Sequence, residues 1–368
     1  MSDERAKILR RVARELGGDA VLSSLEALAP RDLGSLFLHL LARQADGAGP
    51  AQLLSQAETA SKFAPSPVDP RLGAVVTGAA FEAAASFAAI ELAPVAPLGT
   101  TRALTGLHAD NVLAASRAAE VVADPAPLLA LECAKIRRDE RARPVRLCTS
   151  QRVIRMKPEP PPGLLPHFRL FAMATATARG PGVVAETLRE HIAVYLTLFR
   201  LLGARGFAVR EPVVSVSDTR AVERRLVAAG VLPETIRRTV RTGVFQGGSA
   251  AFGLVPLRGR AAAVLAAAPE VPPAVAHALE EIQRDCLDPL AAAFPEARFE
   301  IDLGRLEGLG YYPGPCLRIN ATDPSGAFLN LADGGFARWT ELLLSDGRER
   351  FLASGTGTDL ICLRFRAS

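Results

Sequence analysis

Two arginines three residues apart, Arg152 and Arg155, lie in the strand-like segment "CTSQRVIRMKP". A guanidinium presents a fork of donors that matches pairs of phosphate or carboxylate oxygens, and a strand holds that fork more rigidly than a loop. On an exposed strand the same side chains would form nothing more than surface ion pairs. Tyr311 and Tyr312 read either as one wall of a pocket or as an aromatic pair within a sheet. Gly334 and Gly335 mark a turn or bulge, or a bare piece of backbone that a ligand lies against. The residues alone leave each of these choices open.

Other chemistries find no support. The five histidines, His108 and His167 among them, are too far apart to suggest metal-ligand spacing. The five cysteines are widely spaced without a Cys-x-x-Cys pair, which fits reduced, buried thiols and a cytoplasmic setting and argues against a disulfide framework. No Gly-x-Gly-x-x-Gly follows a strand, and no phosphate-loop signature occurs. With 43 Lys and Arg against 39 Asp and Glu, the charge supports no sequence-independent grip on nucleic acid, although an anionic ligand stays open. No run approaches the ~20 apolar residues needed to cross a bilayer. The amino terminus "MSDERAKILRRVAREL" lacks the apolar region of a signal peptide.

The elements that must hold these residues follow from periodicity. In a chain of 368 residues, 49% hydrophobic, a sizeable core is expected. Ile8, Leu9, Val12 and Leu16 form one helical stripe, and Leu33, Leu36, Phe37, Leu40 and Leu41 another, so residues 1–65 are expected to be a helical amino-terminal domain. "FAPSPVDPRLG" reads as a linker. Residues 75–215 mix helices with strands, including the two strands flanking the proline-rich loop after Arg155. Leu188, Ile192, Tyr195, Leu196 and Phe199 form a strong helical stripe there. Residues 220–295 are expected to be a helical insertion with a glycine break over 246–253, and 296–368 return to strands. Strands on both sides of a helical insert, without regular strand-helix alternation, predict an α+β fold: an antiparallel sheet flanked by helices.

Three pieces in this order resemble the signature motifs of class II aminoacyl-tRNA synthetases, the histidyl branch most closely. The helix and "IELAP" strand of Phe81 to Pro94 resemble motif 1. "QRVIRMKP" followed by "PHFRLFAM" resembles motif 2, two antiparallel strands joined by a variable loop. "LGRLEGLGYYPGPCLRI" is similar to the histidyl-specific segment RGLDYYTGxxFE, "LADGGFARW" to the glycine-rich strand after it, and "LASGTGTDLICL" to motif 3.

The resemblance implies a homodimer through the motif 1 region. It places Arg152 on the arginine that holds the ATP α-phosphate and Arg155 on the loop arginine. It also makes Asp124, otherwise a turn-starter before Pro125, the acid that receives a substrate amine. Tyr311, Tyr312, Gly334, Gly335 and Gly357 fall in the ligand-binding strands. Glu307 stands where the histidyl catalytic arginine belongs, Gly310 replaces the aspartate before the tyrosines, Leu360 replaces the motif 3 arginine, and Ile154 replaces a glutamate. Amino-acid activation draws its rate from cations that stabilise a pentavalent phosphate, so these changes argue against ordinary histidine activation. No anticodon-binding domain is recognisable after motif 3, which argues against tRNA binding.

The resemblance therefore implies a non-charging paralogue that binds a nucleotide or amino-acid-like ligand and serves as a regulatory or accessory subunit. The regulatory subunit of ATP phosphoribosyltransferase is its functional pattern, with a protein partner. The alternative is an ATP- and Mg²⁺-dependent ligase that adenylates a small amino or carboxylic acid for a non-tRNA acceptor.

Overall fold

The computed structural model describes residues 3–106, 112–115, 117–156, 165–236, 252 and 254–367. His108, most of the proline-rich loop after Arg155, and most of the glycine break at 246–253 lie outside the described residues. The chain divides into two compact units. One comprises residues 1–67, 93–124 and 152–168, and the other 68–92, 125–151 and 169–368.

The first unit opens with four helices, α1 (Asp3–Glu15), α2 (Asp19–Glu26), α3 (Pro30–Asp46) and α4 (Pro50–Thr59). Pro30 and Pro50 begin their helices, where the missing N–H costs nothing and the fixed φ is already helical. Two short strands between residues 114 and 121 form a small sheet with β2 (Val95–Pro97). Its order is β2-β4-β3, with β3 spanning Ala114–Ala115 and β4 Ala119–Val121. Between β2 and β3 lies α6 (Thr100–Thr105). Buried Glu120 of β4 accepts hydrogen bonds from the backbone of Gly99 and Thr101 and from the Thr101 hydroxyl, all between 2.6 and 2.8 Å. One carboxylate thereby satisfies donors that the first turn of α6 leaves open.

The second unit is built on a nine-stranded, mostly antiparallel sheet of order β1-β5-β6-β12-β11-β10-β7-β9-β8. Its strands are β1 (Ala88–Ala89), β5 (Val145–Ile154), β6 (His167–Ala178), β7 (Arg210–Asp218), β8 (Arg258–Gly259), β9 (Arg298–Asp302), β10 (Pro315–Thr322), β11 (Phe328–Ala337) and β12 (Glu349–Gly357). The tips of β5 and β6, from Arg152 and up to Phe168, are counted with the first unit. The stretch expected as a separate helical insertion contributes β8 to the sheet's edge, and its helices Ala261–Ala266 and Pro273–Ile282 place Ala261, Val264, Val275, Leu279 and Ile282 in the main core. Other residues of the stretch, Val222, Leu226, Ile236 and Leu254, form a smaller second cluster with Leu306 and Leu309.

α5 (Pro70–Ala83) and α8 (Val183–Gly203) cover one face. The stripe read from sequence is buried in full: Leu188, Ile192, Tyr195 and Leu196 are at most 1% exposed and Phe199 6%. Each such side chain contributes roughly 1.5–3 kcal/mol relative to exposure, and together they fix which side of α8 meets the sheet. Asp69 caps α5 by accepting from the Arg71 N–H, with Pro70 opening the helix.

Candidate functional site

Asp124, Arg152 and Arg155 belong to the first unit. Arg155 Nε donates to the Ala123 carbonyl at 2.9 Å, and its Nη2 lies 3.5 Å from Asp124 Oδ2. Its guanidinium stands 5.1 Å from the centre of the Phe168 ring. A guanidinium between a carboxylate and an aromatic face is held on two sides. Arg152 has a different setting. Its Nη1 is 3.1 Å from His167 Nδ1, while His167 Nε2 is 2.8 Å from the Ala64 carbonyl. The carbonyl can only accept, so Nε2 carries the proton and Nδ1 accepts from Arg152. The structure thus brings Arg155, not Arg152, to Asp124.

The remaining candidates belong to the second unit. Strand pairing sets Cys316, Arg318, Asp333, Gly335, Ala353 and Gly355 on one face, because residues opposite each other in register share a side. At the centre is Asp333. One of its oxygens accepts from Arg305 Nη2 at 2.6 Å and the other from the Tyr312 hydroxyl at 3.1 Å. Arg318 Nε approaches the same carboxylate at 3.7 Å, and Arg318 Nη1 reaches Glu307 Oε2 at 3.5 Å.

Arg305 is buried and also donates to the Leu317 carbonyl at 2.8 Å. Burial works against its charge, but the acidic groups around it, Cys316, Asp333 and Tyr312, outweigh that cost and hold its pKa above the ordinary arginine value. For Tyr312, burial first and then Asp333 raise the phenol well above its usual range, so it donates to Asp333 as a neutral hydroxyl. Burial would raise the Glu307 carboxyl, but Arg318 outweighs it and the pKa falls below the usual value. Nine buried side-chain atoms among the described residues lack a hydrogen-bond partner, and Arg305 Nε, Arg318 Nε and Ser217 Oγ are three of them. Such orphan groups are what a bound ligand or ordered water satisfies.

Tyr311 and Tyr312 lie before β10 in a turn, not in a strand. Gly308 and Gly310 take φ of 99° and 74° there, and the Tyr312 N–H donates to the Gly308 carbonyl at 2.8 Å. The two rings meet edge to face at 4.8 Å, and Tyr311 meets Trp339 in the same way at 5.6 Å. The bare backbone at Gly334 and Gly335 is filled from within the protein. A methyl on Gly335 would stand 2.6 Å from the Tyr312 ring, and one on Gly334 would stand 2.7 Å from the Ala353 carbonyl and clash with the Ser354 side chain on the opposite face. Gly357 ends β12 opposite Leu170 and precedes the helix Thr358–Arg364. Leu360, at the motif 3 arginine position, packs against the main core.

Sequence reading missed Arg305, Arg318 and Asp333, although all three lie within the segments it singled out. Counting along RGLDYYTGxxFE, the pattern's arginine falls on Glu307 and its glutamate on Arg318. These two residues form an ion pair whose signs are exchanged relative to the pattern. Also missed was the layer behind the sheet, where His191 Nδ1 and Nε2 contact Ser354 Oγ at 2.7 Å and Thr175 Oγ1 at 2.9 Å, and Tyr195 donates to Ser354 at 2.9 Å. Among the described residues no group of three or more His, Cys, Asp or Glu side chains is arranged to hold a metal ion. No described helix is long and apolar enough to cross a membrane.

Comparison with solved structures places the fold. The chain is similar to an ATP phosphoribosyltransferase regulatory subunit/histidyl-tRNA synthetase from Bacillus halodurans, with TM-score 0.61 and 16% identity over 80% of this chain and 79% of that one. It is similar to a histidine–tRNA ligase subunit from Alicyclobacillus acidocaldarius, with TM-score 0.55 and 16% identity over 81% and 94% of the two chains. For histidyl-tRNA synthetase from Nostoc sp. PCC 7120 the TM-score is 0.58, with 15% identity over 82% and 73%. No family model and no curated protein sequence matches the chain. The fold is that of the class II synthetases, in its histidyl-like form.

Proposed function

We propose that the chain is a non-charging class II synthetase paralogue that binds a nucleotide or amino-acid-like ligand and acts as a regulatory or accessory subunit. What supports the reading is that, on the resemblance, a carboxylate and an alkyl chain stand at two positions where activation uses arginines. At the position of the histidyl catalytic arginine, Glu307 is tied to Arg318, and at that of the motif 3 arginine, Leu360 is packed against the core. A pentavalent phosphate at such a site would meet a carboxylate and an alkyl group in place of two guanidinium forks.

Binding is supported by what is kept. Arg155 beside Asp124 offers a cation and an anion side by side, the complement of a ligand carrying both signs. In the second unit, the orphan donor of Arg305 supports a polar ligand on the sheet face. Association with a second copy through the motif 1 region is supported by β1, which ends the sheet with both of its residues exposed. A protein partner is part of the reading because the Bacillus halodurans relative is described as a regulatory subunit.

Thermal-shift measurement with ATP and a panel of amino acids is the test. A rise in melting midpoint that Arg155→Ala abolishes supports the reading. Pyrophosphate exchange with the same panel, dependent on ATP and Mg²⁺, would establish the ligase alternative instead. A flat panel in both assays would leave a dimer with a relic of a pocket.

A further inference from the structure

The second unit ends in a set of arginines that ligand binding does not use. They are gathered by buried Arg137, in the last turn of α7 (Ala126–Asp139). Its guanidinium grips Glu349 with Nε at 3.1 Å and Nη2 at 2.7 Å, while Nη1 donates to the carbonyls of Arg141 and Arg143. This clamp pins the turn after α7 to the start of β12. Arg138, Arg141 and Arg143 therefore lie beside Arg348 and Arg350, which flank Glu349. Arg179 joins them at the end of β6, where its backbone N–H donates to the Arg348 carbonyl at 2.6 Å.

These six arginines face four acids, Asp139, Glu140, Glu341 and Asp346; Glu341 is already paired with Arg338, and Asp346 is shared between Arg141 and Arg348. Among the described residues neither Arg143 nor Arg179 has an ion pair. Arg350 donates only to the carbonyls of Gly347 and Glu349. Arg350 stands opposite Thr177, two residues before Arg179, which follows the end of β6, so the two arginines are diagonal neighbours. Long side chains reach a diagonal neighbour, so the two like charges repel. Burial first, and then Arg179, lower the Arg350 guanidinium, with Glu341 acting in the opposite direction. At the same end, α7 and the helix Trp339–Leu344 expose Ile136, Leu342 and Leu343.

We propose that this arginine end of the second unit docks an acidic protein segment that also carries apolar side chains. The inference deepens the accessory-subunit reading, on which it rests, by giving the partner's chemistry. Nucleic acid fits less well. Single strands are gripped by charge together with stacking on exposed rings. Among the described residues the exposed phenylalanines are Phe37 and Phe63 in the first unit and Phe328 at the far end of β11.

Fluorescence anisotropy on the full chain tests it with three labelled probes: a 20-residue peptide of alternating Glu and Leu, the same peptide with Lys for Glu, and a 20-nucleotide single-stranded RNA. The acidic peptide should bind, more weakly as salt rises, and Arg179→Glu/Arg350→Glu should raise its Kd at least tenfold with the thermal midpoint unchanged. If that variant unfolds, Arg143→Ala/Arg348→Ala, at two exposed positions, is used, with a loss of at least threefold expected. No binding of the acidic peptide, equal binding of the basic one, binding unchanged in the variants, or tighter binding of the RNA each overturns the proposal. Thermal shifts with ATP and amino acids on the same variants separate the two readings. Loss of peptide binding to the wild type with ligand shifts intact overturns the surface alone.

Discussion

Arg305 donates to Asp333 at 2.6 Å from a position with 2% of its side chain exposed, while a third of the Asp333 side chain stays open. The pair therefore joins a buried cation to a carboxylate that reaches the sheet face. Removing Asp333 strands the guanidinium, and breaking such a pair costs about 3–5 kcal/mol. Asp333→Ala should lower stability by about that amount in urea unfolding, and Asp333→Asn by less. A loss below about 1 kcal/mol for the alanine variant would show that Arg305 finds other partners.

The two neighbouring glycines of β11 should respond to different surfaces. Gly335→Ala pushes a methyl into the Tyr312 ring, which must tilt, and overpacking of this kind costs about 1–3 kcal/mol. Gly334→Ala meets the Ala353 backbone as well as Ser354 and has less room to yield. The expected order of melting midpoints is wild type, Gly335→Ala, Gly334→Ala. Tyr312→Ala should relieve part of the Gly335→Ala loss, since Cys316 Cβ stays 2.8 Å from the new methyl, and none of the Gly334→Ala loss; equal relief of both would contradict the assignment of opposite faces.

His191 predicts a pH dependence. Burial, and then Arg146, depress its pKa to about 3, so the folded state holds it neutral while the unfolded chain protonates near 6.5. The unfolded state then binds the extra proton, and stability falls as pH drops from about 6.5 toward 3. The slope for one proton is about 1.4 kcal/mol per pH unit. Urea unfolding at pH 6.5 and 5.0 should show a loss of about 1–2 kcal/mol that His191→Gln removes. A slope that survives in the variant would assign it to other groups.

The Arg137 and Glu349 side chains, 1% and 3% exposed, form a second buried pair. Glu349→Ala should cost about 3–5 kcal/mol and loosen the turn at Arg141 to Arg143, seen as faster amide exchange there. The double variant Arg137→Met/Glu349→Leu should recover most of the loss, because it leaves no buried charge behind. Recovery of none of it would mean that the carbonyl bonds of Arg137 matter more than its charge.

The class of fold was readable because long-period signals dominate it. The α8 stripe from Leu188 to Phe199, the glycine-rich strands and the order of the three motif-like segments each constrain topology through many residues at once. The sequence on its own also showed which side chains stand at the positions the resemblance singles out, a carboxylate at Glu307 and an alkyl chain at Leu360. Tertiary structure alone decided the partners. Which of Arg152 and Arg155 meets Asp124 depends on where β5 ends: the strand stops at Ile154, and Arg155 just beyond it reaches the Ala123 carbonyl and the Asp124 carboxylate, an end point that periodicity does not give. Arg305, 28 residues from Asp333, reaches it because a turn with positive φ at Gly308 and Gly310 folds the chain back on β11. Gly334 and Gly335 read alike in sequence, yet the pleat of β11 sends one toward Ser354 and the other toward Tyr312, since successive residues of a strand face opposite sides.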